Sequence, residues 1–222
     1  MNHHFSIKQA KFYAAEIIVA FEFLHKRNII YRYKFYEVIF SEFILNNSRD
    51  LKLENVLLDH QGHIRLTDFG LAKQLKPLLE KGTKTFCGTP EYVAPEIILG
   101  REYGASVDYW SLGILIYEMI TGWPPFQAST HRVLYEKILS QNINLLDKKL
   151  SDSARDLLSR LLEKDIKNRI CPSKIKSHPF FKSIDFTKLA KKELKPPFEP
   201  EVVSKVVNLN KELVRSRRCI KF

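Results

Sequence analysis

Apolar residues recur on a helical period from residue 10 to residue 26. Ala10, Phe12, Ala15, Val19 and Phe23 fall on one stripe, with Ala14, Ile17, Ile18, Phe21 and Leu24 around it. No Gly or Pro interrupts this run, so the pattern predicts a largely buried helix. Two short apolar-rich runs come next, Val56-Leu57-Leu58-Asp59 and His63-Ile64-Arg65-Leu66-Thr67. The residues between them, His60-Gln61-Gly62, have turn chemistry, and the three pieces together predict a β-hairpin. Beyond it the pattern becomes helical again. A mostly apolar helix fits Val107 to Ile120, stopped by Gly122 and Pro124-Pro125. Another fits residues 151–163, with Ser151 as N-cap and Ala154, Leu157, Leu158, Leu161 and Leu162 at amphipathic spacing. Two segments obey neither period: Tyr33 to Ser48, rich in Phe, Tyr, Asn, Lys and Ile, and the last part of the chain from about Lys205.

Composition narrows the class. A chain of 222 residues with 45% hydrophobic content forms one or at most two domains and can bury a sizeable core. Cys87, Cys171 and Cys219 are far apart and form no Cys-x-x-Cys or Cys/His pattern, which argues against a disulfide framework and a structural zinc site. A reducing compartment, cytoplasm or nucleus, is the expected location. No apolar stretch approaches the ~20 residues that cross a bilayer, and the N-terminus lacks the layout of a signal peptide. Residues 182–222 supply +6 of the formal +11 charge, so the basic character belongs mainly to the tail. Arg215, Arg217 and Arg218 there read as a solvated basic end rather than a specific nucleic-acid site, because no aromatic residues interleave with them.

The hairpin has a chemical consequence. It should bring Asn55, before its first strand, beside Asp68, after its second. An amide oxygen and a carboxylate then converge as hard donors of the kind Mg²⁺ takes, with water and phosphate completing the shell. Asp50 and Lys52 lie on the preceding loop, a carboxylate for a hydroxyl proton and an ammonium for a phosphate. This is a layout for phosphoryl transfer.

Singly these signals are weak, but their order is specific. Arg49-Asp50-Leu51-Lys52-Leu53-Glu54-Asn55, Asp68-Phe69-Gly70, Gly88-Thr89-Pro90-Glu91-Tyr92 and Ala94-Pro95-Glu96 match the protein-kinase signature in order and spacing. The chain resembles the serine/threonine kinase catalytic core. Lys84 to Tyr92, His178-Pro179-Phe180-Phe181 and Leu194-Lys195-Pro196-Pro197-Phe198 narrow the resemblance to the AGC group, near the protein kinase B and C branches. The likeness covers about residues 5–204 apart from the stretch 33–48. It implies an α+β, protein-kinase-like fold: a mainly helical large lobe with a short β-hairpin at residues 1–181, the small lobe absent, and an AGC-type extension at 182–222 that diverges after about residue 204.

The resemblance also implies roles. Asp50 would orient or deprotonate the substrate hydroxyl, Lys52 would contact the transferring phosphoryl group of ATP, and Asn55 and Asp68 would hold Mg²⁺. Thr85 would be phosphorylated by an upstream kinase and its phosphate read by Arg49 and Lys73. Thr89 would position Asp50 and the substrate, Glu96 would pair with Arg169, and Asp108 would tie down the catalytic-loop backbone. Glu54 and Glu118 resemble the carboxylates that select protein substrates with arginine upstream of Ser or Thr, although loop-solvating and helix-surface roles explain them equally well. Asp59, His60, His63 and His178 read as solvated turn or packing positions. The leading expectation is an AGC-type serine/threonine kinase, and the alternative is a non-catalytic kinase-like fragment that binds other proteins.

Three departures from the family qualify this. All eight glycines lie at or after Gly62, so no glycine-rich loop precedes the hairpin, half of the ATP site is missing, and weak or absent activity is expected of the chain alone. After about Ser204 there is no aromatic-rich hydrophobic motif. Within the catalytic loop, Tyr31-Arg32 and Arg49-Asp50 are split by residues 33–48, an insertion expected to take Tyr31 out of register with Phe69. A retained intron explains the arginine on both sides: cutting an arginine codon after AG leaves GT at the front and AG at the back. It also explains a residue bias toward A/T-rich codons. An inserted loop is the alternative, and the transcript decides. Across codons 32–49, a message lacking 51 bases and so joining one arginine to Asp50 is the outcome expected of an intron; presence of those bases in every message contradicts it.

Overall fold

The computed structural model describes residues 4–32, 56–66, 69–76 and 82–198. Helix α1 runs over Ile7–His25. It starts before the apolar stripe because Ser6 and Gln9 form a reciprocal capping box. Ser6 Oγ accepts the Gln9 N–H at 3.3 Å, and Gln9 Oε1 accepts the Ser6 N–H at 2.9 Å. The helix buries its Ala10-to-Leu24 face as expected, with one exception. Phe23 is 57% exposed, and the Arg27 guanidinium lies 3.6 Å over its ring.

Strand β1 (Ile29–Ile30) comes at once and pairs antiparallel with β4 (Lys73–Gln74). Two residues per strand leave too short a pattern to read from sequence. The expected hairpin is present: β2 (Val56–Leu58) pairs with β3 (Ile64–Leu66), Val56 opposite Leu66 and Leu58 opposite Ile64. Gly62 closes its turn at φ 84°, a left-handed conformation that glycine adopts without strain. A Cβ there would also overlap the Phe198 carbonyl oxygen, so the C-terminal extension packs directly on this turn.

The remaining helices are α2 (Pro95–Ile98), α3 (Ser106–Thr121), α4 (His131–Ser140), α5 (Asp152–Leu161), α6 (Pro172–Ile175) and α7 (Phe186–Ala190). Helix α3 is the axis of the core. Every residue from Val107 to Thr121 except Glu118 is buried, and α1 and α5 pack against it. A helix apolar all round is stable only inside such a shell. At Gly113 a Cβ would come within 2.8 Å of Leu162 and 3.0 Å of Leu161, so glycine lets α3 and the end of α5 approach closely. The stop at Gly122 (φ 93°) and the Ser151 cap, which accepts the Ala154 N–H at 3.3 Å, match the sequence reading.

Asp59 is the packed kind of turn residue rather than the solvated kind. Its side chain is only 9% exposed, and it accepts from the backbone N–H groups of Gln61 (3.1 Å) and His63 (3.0 Å), from Arg65 Nε (3.2 Å) and from Lys192 Nζ (2.9 Å). Burial opposes its ionisation, but the Lys192 ammonium and the backbone donors outweigh that and hold the carboxyl well below the usual range. His63 and His178 pack as expected. His63 Nδ1 meets the Glu16 carboxylate at 2.6 Å. His178 joins the turn Pro179–Phe181 to α5, with Nδ1 accepting the Phe180 N–H and Nε2 reaching Asp156 at 2.8 Å.

Candidate active site

The site is organised from α3 outward. Asp108, in the first turn of α3 and fully buried, accepts the Tyr31 N–H on Oδ2 at 2.9 Å and the Arg32 N–H on Oδ1 at 2.8 Å. His25 Nε2 adds a third contact to Oδ2 at 2.7 Å. A buried carboxylate is expensive unless donors converge on it, and here three do. They hold Arg32 at φ 53°, a left-handed conformation that costs a non-glycine residue about 1–2 kcal/mol and needs an external restraint to persist. The backbone is therefore set before residue 33, where the insertion begins.

Tyr31 contradicts the expected loss of register. Its ring meets Phe69 edge-on with centroids 5.1 Å apart and also packs on Phe21 at 6.1 Å. The insertion does not displace it, because Asp108 and Phe21, both outside the insertion, anchor Tyr31. Asp50, Lys52, Asn55, Asp68, Arg49 and Glu54 lie outside the described residues.

Thr85 is exposed, and its hydroxyl lies 3.2 Å from that of Thr83, which accepts from Lys73 Nζ at 3.2 Å. From the other side, Arg32 donates Nε–H to the Leu71 carbonyl at 2.6 Å and contacts the Tyr103 hydroxyl at 3.5 Å. Tyr103 in turn donates to the Thr85 carbonyl at 2.6 Å. Lys73 and Arg32 are thus two cations that the fold brings toward this threonine. Sequence reasoning missed Arg32. Two arginines flank the insertion, and the fold shows one of them, Arg32, turned toward Leu71 and Tyr103.

Thr89 is 5% exposed, and its Oγ1 is buried without a hydrogen-bond partner among the described residues. Glu118 accepts a hydrogen bond from the Tyr92 hydroxyl, which joins α3 to the turn Pro90–Tyr92. Glu118 is therefore a packed residue rather than a free helix-surface charge.

Glu96 and Arg169 form a forked ion pair at 2.7 and 2.9 Å, with side chains 1% and 2% exposed. Arg169 also donates to the carbonyls of Glu163 (2.8 Å) and Ser106 (3.3 Å) and lies over the Trp110 ring at 5.1 Å. The pair fixes α2, just after the Thr89 turn, to the loop that precedes α6.

With this geometry in place, comparison with known proteins identifies the class. Residues 36–181 match the protein kinase domain model. The chain belongs to the protein kinase domain family, in its AGC group. It is 46% identical over 209 residues to the serine/threonine-protein kinase gad8 of Schizosaccharomyces pombe, covering 93% of this chain and 33% of that protein. It is 44% identical over 217 residues to the serine/threonine-protein kinase sgk-1 of Caenorhabditis elegans, covering 95% and 43%. With the RAC serine/threonine-protein kinase of Drosophila melanogaster it shares 43% over 205 residues, covering 90% and 30%. The chain thus spans about a third to two-fifths of the length of these relatives.

The buried pair gives a test. Losing one partner strands a buried charge, so Arg169→Met should lower stability by about 3–5 kcal/mol, read by urea unfolding. Adding Glu96→Leu should recover part of that loss but not all, since the Glu163 and Ser106 carbonyls still lack their donor. Losses that simply add would show that the two side chains are not coupled.

Proposed function

We propose that this chain serves transfer of the ATP γ-phosphoryl group to Ser or Thr hydroxyls of protein substrates with basic residues upstream. The observation that carries the reading is the Asp108 clamp. It holds the Tyr31–Arg32 backbone against Phe69, so that two pieces of the kinase signature far apart in sequence meet in one place. In this reading Asp50 orients the acceptor hydroxyl and receives its proton, and Lys52 steadies the phosphoryl oxygens. The unsatisfied Thr89 hydroxyl fits a partner on that loop.

Asn55 and Asp68 would hold Mg²⁺; among the described residues no other cluster of His, Cys, Asp or Glu could do so. When bound, Mg·ATP supplies the phosphoryl group. A phosphate on Thr85, added by an upstream kinase, would carry about −1.5 to −2 charge into reach of Lys73 and Arg32 and tighten the Thr83–Thr85 segment against Tyr103. Glu54 and Glu118 would select basic substrates by pairing their carboxylates with guanidinium groups. No helix among the described residues is long and apolar enough to cross a membrane.

Phosphate transfer to a basic Ser-containing peptide, with Mg·ATP and Thr85-phosphorylated protein, tests this. The expected result for this chain alone is weak transfer, which Asp50→Asn abolishes while peptide binding is unchanged. Transfer indifferent to that substitution would overturn the assignment. Peptide binding with no transfer at all would replace it with the protein-binding module.

A further inference from the structure

A cavity of about 350 Å³ opens between the start of α3 and the loop leading into α6. It shares no lining residue with the cluster around Thr85 and Thr89. Tyr109, Ile166, Ile170 and Pro172 give it a mainly apolar wall. This is the size range of small-ligand sites, which pair apolar walls with a few fixed polar groups. Its polar groups are unequal. Arg169 is already committed to Glu96 and to two carbonyls, so it forms a rigid wall rather than a ligand contact. Lys167 is exposed, and among the described residues its ammonium has no partner. The nearby Asp165 carboxylate forms no ion pair with it; its oxygens accept from the Lys167 backbone N–H and the Asn168 amide. Lys174 adds a second positive charge beside Cys171.

An apolar wall with an unpaired cation at its edge suits a molecule that is greasy at one end and anionic at the other. We propose that this cavity binds a small amphipathic carboxylate, a medium-chain fatty acid, with its chain along Ile166, Ile170, Pro172 and the Tyr109 ring and its carboxylate on Lys167. This site is separate from the phosphoryl-transfer reading and stands or falls independently of it. Occupancy would also brace Arg169, and through it Glu96 and α2.

Cys171 lines the same cavity and serves as a reporter of occupancy. Its exposed thiol is favoured as thiolate by the Ser173 hydroxyl and backbone, so it alkylates readily. The experiment measures iodoacetamide alkylation of Cys171 and Cys87 in the full chain by peptide mass spectrometry, with decanoate, decanol or acetate added. At decanoate about ten times its Kd, mass action should slow Cys171 about tenfold and leave Cys87 unchanged. Acetate should do nothing, and decanol should protect only at higher concentration. Lys167→Ala should weaken protection by decanoate but not by decanol, and Ile166→Asp, at the exposed rim, should abolish both. Unchanged Cys171 alkylation up to the micelle concentration overturns the proposal. Equal slowing of both cysteines does so too, since that is non-specific adsorption.

Discussion

The structure depends on one buried carboxylate. Asp108 sits at the head of the most deeply buried helix and has no room to be solvated, so its charge must be met by donors from the protein. The backbone N–H groups of Tyr31 and Arg32 meet it, and in doing so give up their freedom. Arg32 is drawn into a left-handed conformation that it would not hold alone. This restraint spreads outward through geometry. Tyr31 lies on Phe69, the Arg32 side chain turns toward Leu71 and Tyr103, and the segment carrying Thr85 is reached from both sides. Core packing and site geometry are thus one problem: the helix that excludes water also carries the group that shapes the Tyr31–Arg32 turn.

A second buried charge does related work at the other side of α3. The Glu96–Arg169 pair is worth little as net stability, because desolvation consumes most of its attraction, but it has a defined geometry. The fork joins α2 to the loop before α6 across a long sequence separation, and Ser106 at the start of α3 contributes to both partners. The turn carrying Thr89 therefore stands between two fixed points. The C-terminal extension is held differently, through Lys192 on Asp59 and the close approach of Phe198 to Gly62.

Long, strongly patterned features were legible in the sequence. Helix α3, the hairpin and α5 could be read because burial imposes a period and their ends carry caps, at Gly122 and Ser151. The motifs announced the class for a related reason: phosphoryl transfer requires certain residue types in a fixed order. Short-range and contingent features were not legible. Strands β1 and β4 are two residues each, too brief for a pattern. Phe23 lies on the apolar stripe yet is exposed, since a stripe shows which residues share a face but not how far the neighbouring elements extend over it. The tie between Asp59 and Lys192 was not legible because the two are distant in sequence. Arg32 could not be read because its direction in space depends on Asp108, and the expected displacement of Tyr31 failed for the same reason: Asp108, distant in sequence, holds the Tyr31–Arg32 backbone.

If the Asp108 carboxylate holds the Tyr31–Arg32 turn, amide hydrogen exchange at those two residues shows it most directly. In the unaltered chain both amides should be protected to about the level of α1. Asp108→Ala should speed exchange at both by about ten- to a hundredfold while α1 amides stay protected, the loss expected for hydrogen bonds to a charged acceptor. Asp108→Asn, which keeps one acceptor oxygen, should free only one of the two. Unchanged exchange at Tyr31 and Arg32 in both variants would show that the turn is held by something other than this carboxylate.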